Sequence, residues 1–486
     1  MKSLLVAGAA LVALMASDRA EAGEQRAAMP VKAPRPEPAS DWTGFYLGDQ
    51  FGAAAPADLW QRDKLGGDWG GARTELSRRG FDISFNYIGE TFGILGGVRQ
   101  GVSYEHRFEL SVDTDLGKLL GWTGASSHTT FYQIGHAHGT PAADYVGSIA
   151  DPSNIEAVPA TRLFTAWFQK NFLDDKVSVR LGQIAADDEF LISPTASNLI
   201  NSTFGYAALL AADQLQGGPV YPLATPGIRL QLKPTDEIAI LSAVFSGAPA
   251  GADCTGLPQQ CNRYGTTFST SGGALWMEEV QYGINQGKDA KGMPGVYKLG
   301  GWYATTGFAD MHFGLSATGA VVSLASPASA FPLMQQGNWG IYGVADQMIW
   351  RAQKGPQSLN AFFRAGASPA DRNLVASYID GGLGLKAPLP GRDDDVLTFG
   401  IAYSKISPDA AALDLDTQLF TGGFFPVRDR EIVLELDYSL QLAPWWTIQA
   451  DLQQIFHPGG HVPDPLNPGQ AIYDAFVIGG RSSIKF

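Results

Sequence analysis

Charged residues, cysteines and long apolar segments are all scarce in this chain of 486 residues. Charged side chains make up 17% of the sequence, whereas soluble domains average roughly 25%. After residues 4–16, no apolar run approaches the roughly 20 residues that a membrane-spanning helix needs. A bundle of transmembrane helices is therefore excluded, and the composition is unusual for a soluble domain.

The overall charge and the residues that are abundant narrow the choice further. The net charge of −14 argues against nucleic acid as a partner, because proteins that bind nucleic acid present basic surfaces. Glycine is frequent, with 58 residues, and aromatic residues reach 11%. The length suits either about three soluble domains or one large barrel, and this composition favours the barrel.

Apolar and polar residues alternate along many short segments, of which residues 431–440 are a clear example. There Leu434 and Leu436 alternate with Glu435 and Asp437. In hydrocarbon every backbone donor and acceptor must be paired, so strands cross a membrane only as a closed barrel. A charge on the lipid face of such a barrel costs about 2–4 kcal/mol at mid-bilayer. The pattern predicts an all-β, transmembrane antiparallel barrel with the leucines facing lipid and the carboxylates facing the lumen.

A soluble sandwich also alternates, so the two ends of the chain decide between the folds. Residues 475–486 alternate small or apolar with polar side chains and finish at Phe486, which is typical of the last strand of a bacterial outer-membrane barrel. We expect the barrel-assembly machinery to read this strand. At the other end, Lys2, the apolar residues 4–16 and the small residues around Ala22 are typical of a cleaved secretory signal.

These features divide the chain into three regions. Residues 1–22 are predicted to be a signal peptide, residues 23–64 a proline-rich periplasmic segment, and residues 65–486 the barrel, embedded in outer-membrane lipid. The longest glycine- and proline-rich loops are predicted at residues 135–159, 193–226 and 247–273. Barrels of this kind have short periplasmic turns and long outer loops.

Residues 65–76, LGGDWGGARTEL, resemble a segment of the carbohydrate-selective outer-membrane porins of the OprB type. Further segments of the same family follow in order, at residues 182–190, 295–303, 346–348, 371–374, 380–383, 390–395 and 444–460. The resemblance implies a 16-stranded barrel, passive uptake of monosaccharides such as glucose or of small oligosaccharides, and a constriction lined by charged and polar side chains. Two positions depart from the family pattern: residues 161–169 lack acidic side chains, and Ala450 replaces a usual proline.

Alternation within the predicted strands identifies polar side chains that face the lumen. Sugar hydroxyls need donors and acceptors there, and the guanidinium group of arginine offers five donors in one plane. The candidates for lining the pore and contacting sugar are Arg107, Glu109, Glu279, Gln281, Arg364, Glu435, Asp437 and Asp451. Each of them is equally open to a structural role as part of an ion pair bracing the wall.

Two further features concern the interior of the predicted barrel. Asp187, Asp188 and Glu189 open the loop of residues 193–226, and we expect this segment to narrow the lumen. Trp302 is in phase with Lys298, which allows two roles: a sugar-stacking platform, or a membrane-interface residue of the kind that is common for tryptophan.

Cys254 and Cys261 are the two cysteines of the chain. An exported protein meets an oxidising compartment, so a short disulfide loop is expected. No metal site and no cofactor are predicted, because the close histidine pairs, His136 with His138 and His457 with His461, have no evident third ligand.

The chain is not expected to be an enzyme. It contains neither a Gly-x-Ser-x-Gly elbow nor a His-Glu-x-x-His motif. Glu278 and Glu279 are adjacent in a predicted strand and therefore point to opposite faces. A non-selective general porin or a surface-receptor barrel remains the alternative function, and a barrel hydrolase a less favoured one. The sequence leaves the oligomeric state open.

Overall fold

A computed structural model of the chain describes residues 59–287 and 290–486, and shows a closed antiparallel barrel. The 16 strands that form its wall are numbered here in chain order. They are β1 Phe81–Gly97, β2 Gly101–Asp115, β3 Ala125–Ala137, β4 Ala160–Phe172, β5 Val177–Ile184, β6 Thr225–Leu232, β7 Ile238–Ser246, β8 Ala274–Ile284, β9 Gly295–Ser316, β10 Ser329–Arg351, β11 Ser358–Ala367, β12 Val375–Lys386, β13 Val396–Ile406, β14 Arg430–Ala443, β15 Trp446–Phe456 and β16 Tyr473–Lys485.

The remaining regular elements are not among the 16 strands of the wall. A short strand, Val321–Ser323, extends the hairpin of β9 and β10, and Pro463–Asp464 pairs with Asn467–Ala471 in the last outer loop. The helices are Leu59–Gln61, Trp69–Gly71, Ala72–Arg79, Leu116–Leu120, Pro141–Val146, Ala196–Asn198, Ser202–Gly205, Ala208–Asp213, Leu215–Gly217, Pro258–Cys261, Pro408–Thr421 and Pro458–His461. None of the helices within the described ranges is both long and apolar enough to cross a bilayer.

The predicted fold class is confirmed, and on β14 the burial of the side chains follows the predicted alternation. The first and last strands pair in antiparallel register, with Tyr87 opposite Ile484, which closes the sheet. On β14 the side chains of Glu435 and Asp437 are each only 1% exposed, whereas Leu436 is 41% exposed on the outer surface. Alternation therefore sorted lipid-facing from inward residues correctly on this strand.

The connections differ between the two ends of the barrel. Short turns, such as residues 173–176, 233–237 and 444–445, join strands at one end. Long loops, at residues 138–159, 185–224, 247–273, 407–429 and 457–472, join them at the other. In bacterial outer-membrane barrels the short turns face the periplasm and the long loops face outward.

The longest of these loops, residues 185–224, folds back into the barrel, and we call it the inward loop. Its Ile200, Phe204 and Leu210 are fully buried. They belong to an apolar cluster that also contains Phe245 and Phe362 from the inner face of the wall. Apolar contact thus packs the inward loop against the wall, and the lumen is narrowed by a folded segment.

At the periplasmic end, residues before β1 bridge the seam between the first and last strands. The backbone N–H of Leu65 donates to the carbonyl of Lys485 at 2.7 Å, and that of Phe486 donates to Phe85 at 2.8 Å. Arg73 Nη2 donates to the main-chain oxygen of Phe486 at 2.9 Å. The predicted signal peptide, residues 1–22, and most of the predicted periplasmic segment, residues 23–58, lie outside the described residues.

Replacing a lipid-facing leucine tests the register directly. Leu436→Arg places a charge near the middle of β14 on the outer surface and should lower the free energy of unfolding in lipid vesicles by about 2–4 kcal/mol. Leu466→Arg is the matched control, because Leu466 is 71% exposed in an outer loop; it should change the free energy by less than about 0.5 kcal/mol. Equal costs at both positions would contradict the assignment of the lipid face.

Candidate functional site

A continuous row of polar side chains runs along the inner face of β2 and β3. Four of the alternate residues of β2 that face inward belong to it, and two residues of β3 lie beside them. We call this set the polar track: Arg107, Glu109, Ser111, Asp113, Thr130 and His128.

The first part of the polar track is built around Glu109. Arg107 Nη2 lies 3.3 Å from Glu109 Oε2. Asn86 Nδ2, from β1, and Ser111 Oγ donate to the other carboxylate oxygen at 3.3 and 3.4 Å. The side chain of Glu109 is still 20% exposed, whereas that of Arg107 is 9% exposed. The carboxylate is therefore held in place and can still be reached by water.

The second part continues from Ser111 toward the periplasmic end. The hydroxyls of Ser111 and Thr130 are 2.8 Å apart, and Thr130 Oγ1 lies 2.7 Å from His128 Nε2. His128 Nδ1 lies 2.7 Å from Asp113 Oδ1, and the Asp113 side chain is 50% exposed. Hydrogen bonds thus connect the row along this side of the lumen; Ser111 and Thr130 are buried within it, and Asp113 at the periplasmic end is half exposed.

Aromatic rings fix the orientation of Arg107. Its guanidinium carbon lies 4.5 Å from the ring centre of Tyr132 and 5.3 Å from that of Tyr221. Tyr132 is a strand residue, but Tyr221 comes from the inward loop. Cation–π contact with two rings restricts the rotation of the guanidinium group, so the loop helps to set the geometry of the polar track.

A second set of inward groups crosses β3 to β6 beside the track. The ring of His128 stacks on Trp167 of β4 with 4.9 Å between centroids, and the guanidinium of Arg180 on β5 lies 3.8 Å from the same indole. Arg180 and Arg229 each lie 2.6 Å from a different oxygen of Glu189. Burial opposes ionisation of Glu189, but the two guanidinium groups outweigh it and hold the pKa of that carboxyl below its usual range.

The predicted constriction residues lie at the start of the inward loop. Glu189 contacts the two arginines, and Asp187 accepts a hydrogen bond of 2.9 Å from the backbone N–H of Tyr221. Burial and the neighbouring Asp188 raise the pKa of Asp187 to about 8. Glu189 and Asp187 are therefore held by protein contacts where the loop enters the lumen.

Buried carboxylates of the wall hold the inward loop through its backbone. Glu279 accepts from the N–H of Leu191 at 2.8 Å and from the hydroxyl of Tyr342 at 2.9 Å. Glu435 accepts from the N–H groups of Ile200 and Asn201. Both glutamates face inward, as alternation predicts, but the loop covers them.

Asp346 of the wall and Asp213 of the loop also hold the loop against the wall. Asp346, on β10, accepts from the N–H and the hydroxyl of Thr195, both at 2.8 Å. Asp213 belongs to the inward loop and accepts from the N–H of Val375 at 3.1 Å and from the hydroxyl of Ser368 at 2.6 Å. Burial raises the pKa of Asp213 to about 7, although these hydrogen bonds oppose the shift.

Arg364 holds the carbonyl groups of the same loop. Its guanidinium donates to the main-chain oxygens of Thr203 at 2.9 Å and Gly205 at 3.1 Å, and pairs with the buried Asp380. Arg364 is 1% exposed and also donates to the main-chain oxygen of Leu191 at 3.4 Å, so protein groups surround its guanidinium. Its position is that of a brace between wall and loop.

The remaining predicted lining residues also face inward. Gln281 donates to Glu279 at 2.7 Å. Asp437 and Asp451 are opposite each other on β14 and β15 and accept from Gln449 and Gln453, respectively. Glu435, Asp437 and Asp451 also bring one carboxylate oxygen each within 4.8 Å of one another, as do the ligand atoms of Asp429, His457 and His461 in the outer loops.

Trp302, Cys254 and Cys261 can also be placed. Trp302 is inward and 4% exposed, within the apolar cluster that packs on the loop, so it lies neither at the membrane interface nor against open lumen. Cys254 and Cys261 form a disulfide with 6.0 Å between Cα atoms.

Several residues of the site were not among the sequence-based candidates. Ser111 and Asp113 share the phase of Arg107 and Glu109, so the same alternation could have included them. Trp167 lies within residues 161–169, a segment noted in the sequence only because it lacks acidic side chains. Tyr221 is a loop residue with no periodic signal, and its approach to Arg107 depends on the fold.

Three comparisons with known proteins agree with this architecture. Residues 99–486 match the family model described as carbohydrate-selective porin, OprB family. The chain is 25% identical to Porin B of Pseudomonas aeruginosa over 434 residues, which covers 84% of this chain and 90% of that protein. It is 22% identical over 468 residues to the putative porin QuiX of Acinetobacter baylyi, covering 90% and 97%.

Among solved structures, the chain resembles the high-pH structure of Pseudomonas putida OprB with a TM-score of 0.76 and 22% identity. The match covers 88% of this chain and 99% of that one. The low-pH structure of the same protein gives a TM-score of 0.53. At 22% identity, the structural match shows that the two proteins share a fold.

Arg364→Ala should destabilise the barrel strongly. The substitution leaves Asp380 buried without its partner and strips donors from two loop carbonyls, which should lower the free energy of unfolding by about 3–5 kcal/mol. Urea unfolding followed by the mobility of unheated samples in detergent gels measures this. The control is Arg372→Ala, whose pair with Asp371 is partly exposed and should contribute less than about 1 kcal/mol. Similar losses for both variants would refute the bracing role.

Asp213 should make stability depend on pH. Because its pKa is raised from 3.8 to about 7 in the folded protein, the folded state holds the proton more tightly than the unfolded state. Its contribution is therefore fully present below about pH 4 and is lost as the pH rises through about 7, by up to about 4 kcal/mol. Relative to wild type, Asp213→Asn should gain stability at pH 7.5 and not at pH 4, whereas Asp253→Asn, in an exposed outer loop, should follow wild type. A parallel pH response of wild type and Asp213→Asn would exclude this contribution.

Proposed function

The chain belongs to the carbohydrate-selective porin family of the OprB type, and we propose that it lets monosaccharides such as glucose diffuse passively through its lumen into the periplasm. It is an outer-membrane β-barrel, and its family and fold are those of a channel rather than of an enzyme. Both relatives described above, Porin B and the putative porin QuiX, are named as porins.

The observation that carries the proposal is the polar track. A sugar entering a narrow lumen loses water from its hydroxyls and needs replacement donors and acceptors. Along the track, Glu109 and Asp113 offer partly exposed carboxylates, and the buried hydroxyls of Ser111 and Thr130 link them through hydrogen bonds. Successive hydroxyls can therefore exchange partners in short steps.

The charges beside the track favour neutral solutes. Arg107 lies next to Glu109, and Arg180 and Arg229 share Glu189. Each positive group has an acidic neighbour, so these groups create no large field of a single sign that would draw in ions. Neutral polyols still find strong hydrogen-bonding groups there, which gives contact without a demand for charge.

Aromatic rings also support sugar passage, because they hold the polar side chains of the track in fixed orientations. Tyr132 and Tyr221 hold the guanidinium of Arg107, while Trp167 holds the imidazole of His128 and the guanidinium of Arg180. Groups already fixed in direction lose little conformational freedom when they bind. Weak, fast contacts of this kind suit a channel, because a tightly bound sugar would leave slowly.

The proposal extends to the partners of the chain. We propose that residues 1–22 direct export and are removed, that residues 23–64 remain in the periplasm, and that the barrel-assembly machinery reads the strand ending in Phe486. On that strand Phe476 and Ile478 are exposed on the outer surface, where they would meet lipid. Small oligosaccharides are further candidate solutes, and the oligomeric state is open.

Sugar passage should depend on Arg107 and Glu109. The double variant Arg107→Ala, Glu109→Gln removes two charged contacts of the track, and each is worth about 1 kcal/mol or more. We expect glucose-driven swelling of proteoliposomes to slow, and the glucose concentration that blocks ion current in planar bilayers to rise at least about fivefold.

The matched control is Glu278→Gln, because Glu278 is exposed on the outer surface of β8; its glucose block should equal that of wild type. The rate at which amino acids of similar size enter proteoliposomes distinguishes a sugar-selective channel from a non-selective porin. If they enter as fast as glucose in wild type and the double variant changes nothing, the chain is a non-selective porin and the proposed selectivity is refuted.

A further inference from the structure

Two histidines in the outer loops have a partner that the sequence does not reveal. His457 and His461 are four residues apart in the loop between β15 and β16, among glycines. Asp429, from the loop between β13 and β14, meets them in the structure. We propose that these three residues form a binding site for a divalent transition-metal ion, with Zn²⁺ as the best-matched ion.

The geometry brings the three donor groups together. Nδ1 of His457 lies 2.9 Å from Oδ1 of Asp429. The two imidazoles stack with 4.4 Å between ring centres and 17° between planes. One nitrogen of each ring and one carboxylate oxygen all lie within 4.8 Å of one another. Ligand atoms around one Zn²⁺ are roughly 3–3.5 Å apart, so small side-chain rotations are enough to close the site.

The donor set selects the class of ion. Imidazole nitrogen suits zinc, copper and nickel, whereas calcium and magnesium prefer oxygen ligands alone. Two histidines and one carboxylate leave room for water on a tetrahedral ion. The three side chains are about one-third exposed or less, at 28% for His457 and 32% for Asp429, so an ion can enter from the external medium.

The backbone holds the ligands in position. The backbone N–H of His457 donates to Asp474 at 2.9 Å, and the N–H of Asp429 donates to the carbonyl of Gly460 at 3.0 Å. Arg430 Nη1 lies 2.6 Å from the second carboxylate oxygen of Asp429, and the first oxygen accepts from the backbone N–H of Arg430 at 2.6 Å and also faces His457. His457 and His461 have φ angles of 52° and 79°, a conformation that is uncommon for residues other than glycine and often found at ligand sites.

A bound ion would join two outer loops that are far apart in sequence. The loop of His457 also contacts the wall, because Gly459 donates its N–H to Glu431 at 2.7 Å. Glu431 in turn accepts from the N–H groups of Ile149 and Ala150 in a third outer loop. The ion would therefore stabilise the outer mouth of the barrel without entering the polar track.

The test is Zn²⁺ binding to the full-length protein without a histidine tag, in detergent and stripped with a chelator. Calorimetry should show one Zn²⁺ per barrel. His457→Asn, His461→Asn and Asp429→Asn should each weaken binding at least about tenfold. Asparagine tolerates the positive φ of the two histidines, so these variants should fold, which heat-dependent gel mobility verifies. When Co²⁺ replaces Zn²⁺, wild type should show visible absorption. The double histidine variant, which combines His457→Asn and His461→Asn, should lack this absorption.

His312→Asn is the matched control. His312 also pairs with an aspartate in the outer part of the barrel, at 2.8 Å from Asp416, but it is not among the three clustered ligands. Its loss should leave Zn²⁺ binding at the wild-type level. The proposal is overturned if wild type takes up no more Zn²⁺ than the double histidine variant, or if His312→Asn loses as much affinity as His457→Asn. Neither result depends on sugar transport.

Discussion

Hydrogen bonds between the inward loop and charged side chains on the inner face of the wall are the contacts on which this structure depends. A loop of this length inside a barrel has no sheet to pair with, so its backbone groups must find other partners. Glu279, Asp346 and Glu435 accept from its N–H groups, while Arg364 donates to its carbonyls. These contacts give the loop one position, and that position decides which part of the lumen stays open.

The apolar side of the loop makes the arrangement asymmetric. Buried residues such as Phe204 and Leu210 pack against inward aromatic and aliphatic side chains of the wall. The polar track on β2 and β3 keeps partly exposed carboxylates instead. One segment of the interior is thus filled like a protein core, and another keeps the hydrogen-bonding character that a solute needs. The two arginines that pair with Glu189 connect these halves where the loop begins.

Alternation predicted the wall well because its cause is local. A strand with one face in lipid must present apolar residues at every second position, so Leu434, Glu435 and Leu436 could be assigned from the sequence alone. Alternation could not distinguish inward residues that line the open lumen from inward residues that brace the loop against the wall. Arg364 and Glu109 both face away from lipid. In the folded protein the inward loop covers Arg364 and leaves Glu109 partly exposed. The contacts of Tyr221 and Asp429 join segments distant in sequence, and no periodic pattern encodes them.

We propose that the polar track borders the water-filled path. Single-channel recording of Asp113→Cys with a charged, membrane-impermeant thiol reagent tests it most directly, because the native cysteines are joined in a disulfide. Each modified barrel should show a stepwise fall in conductance, and glucose should protect the thiol from reaction. Complete modification with unchanged conductance would contradict this proposal.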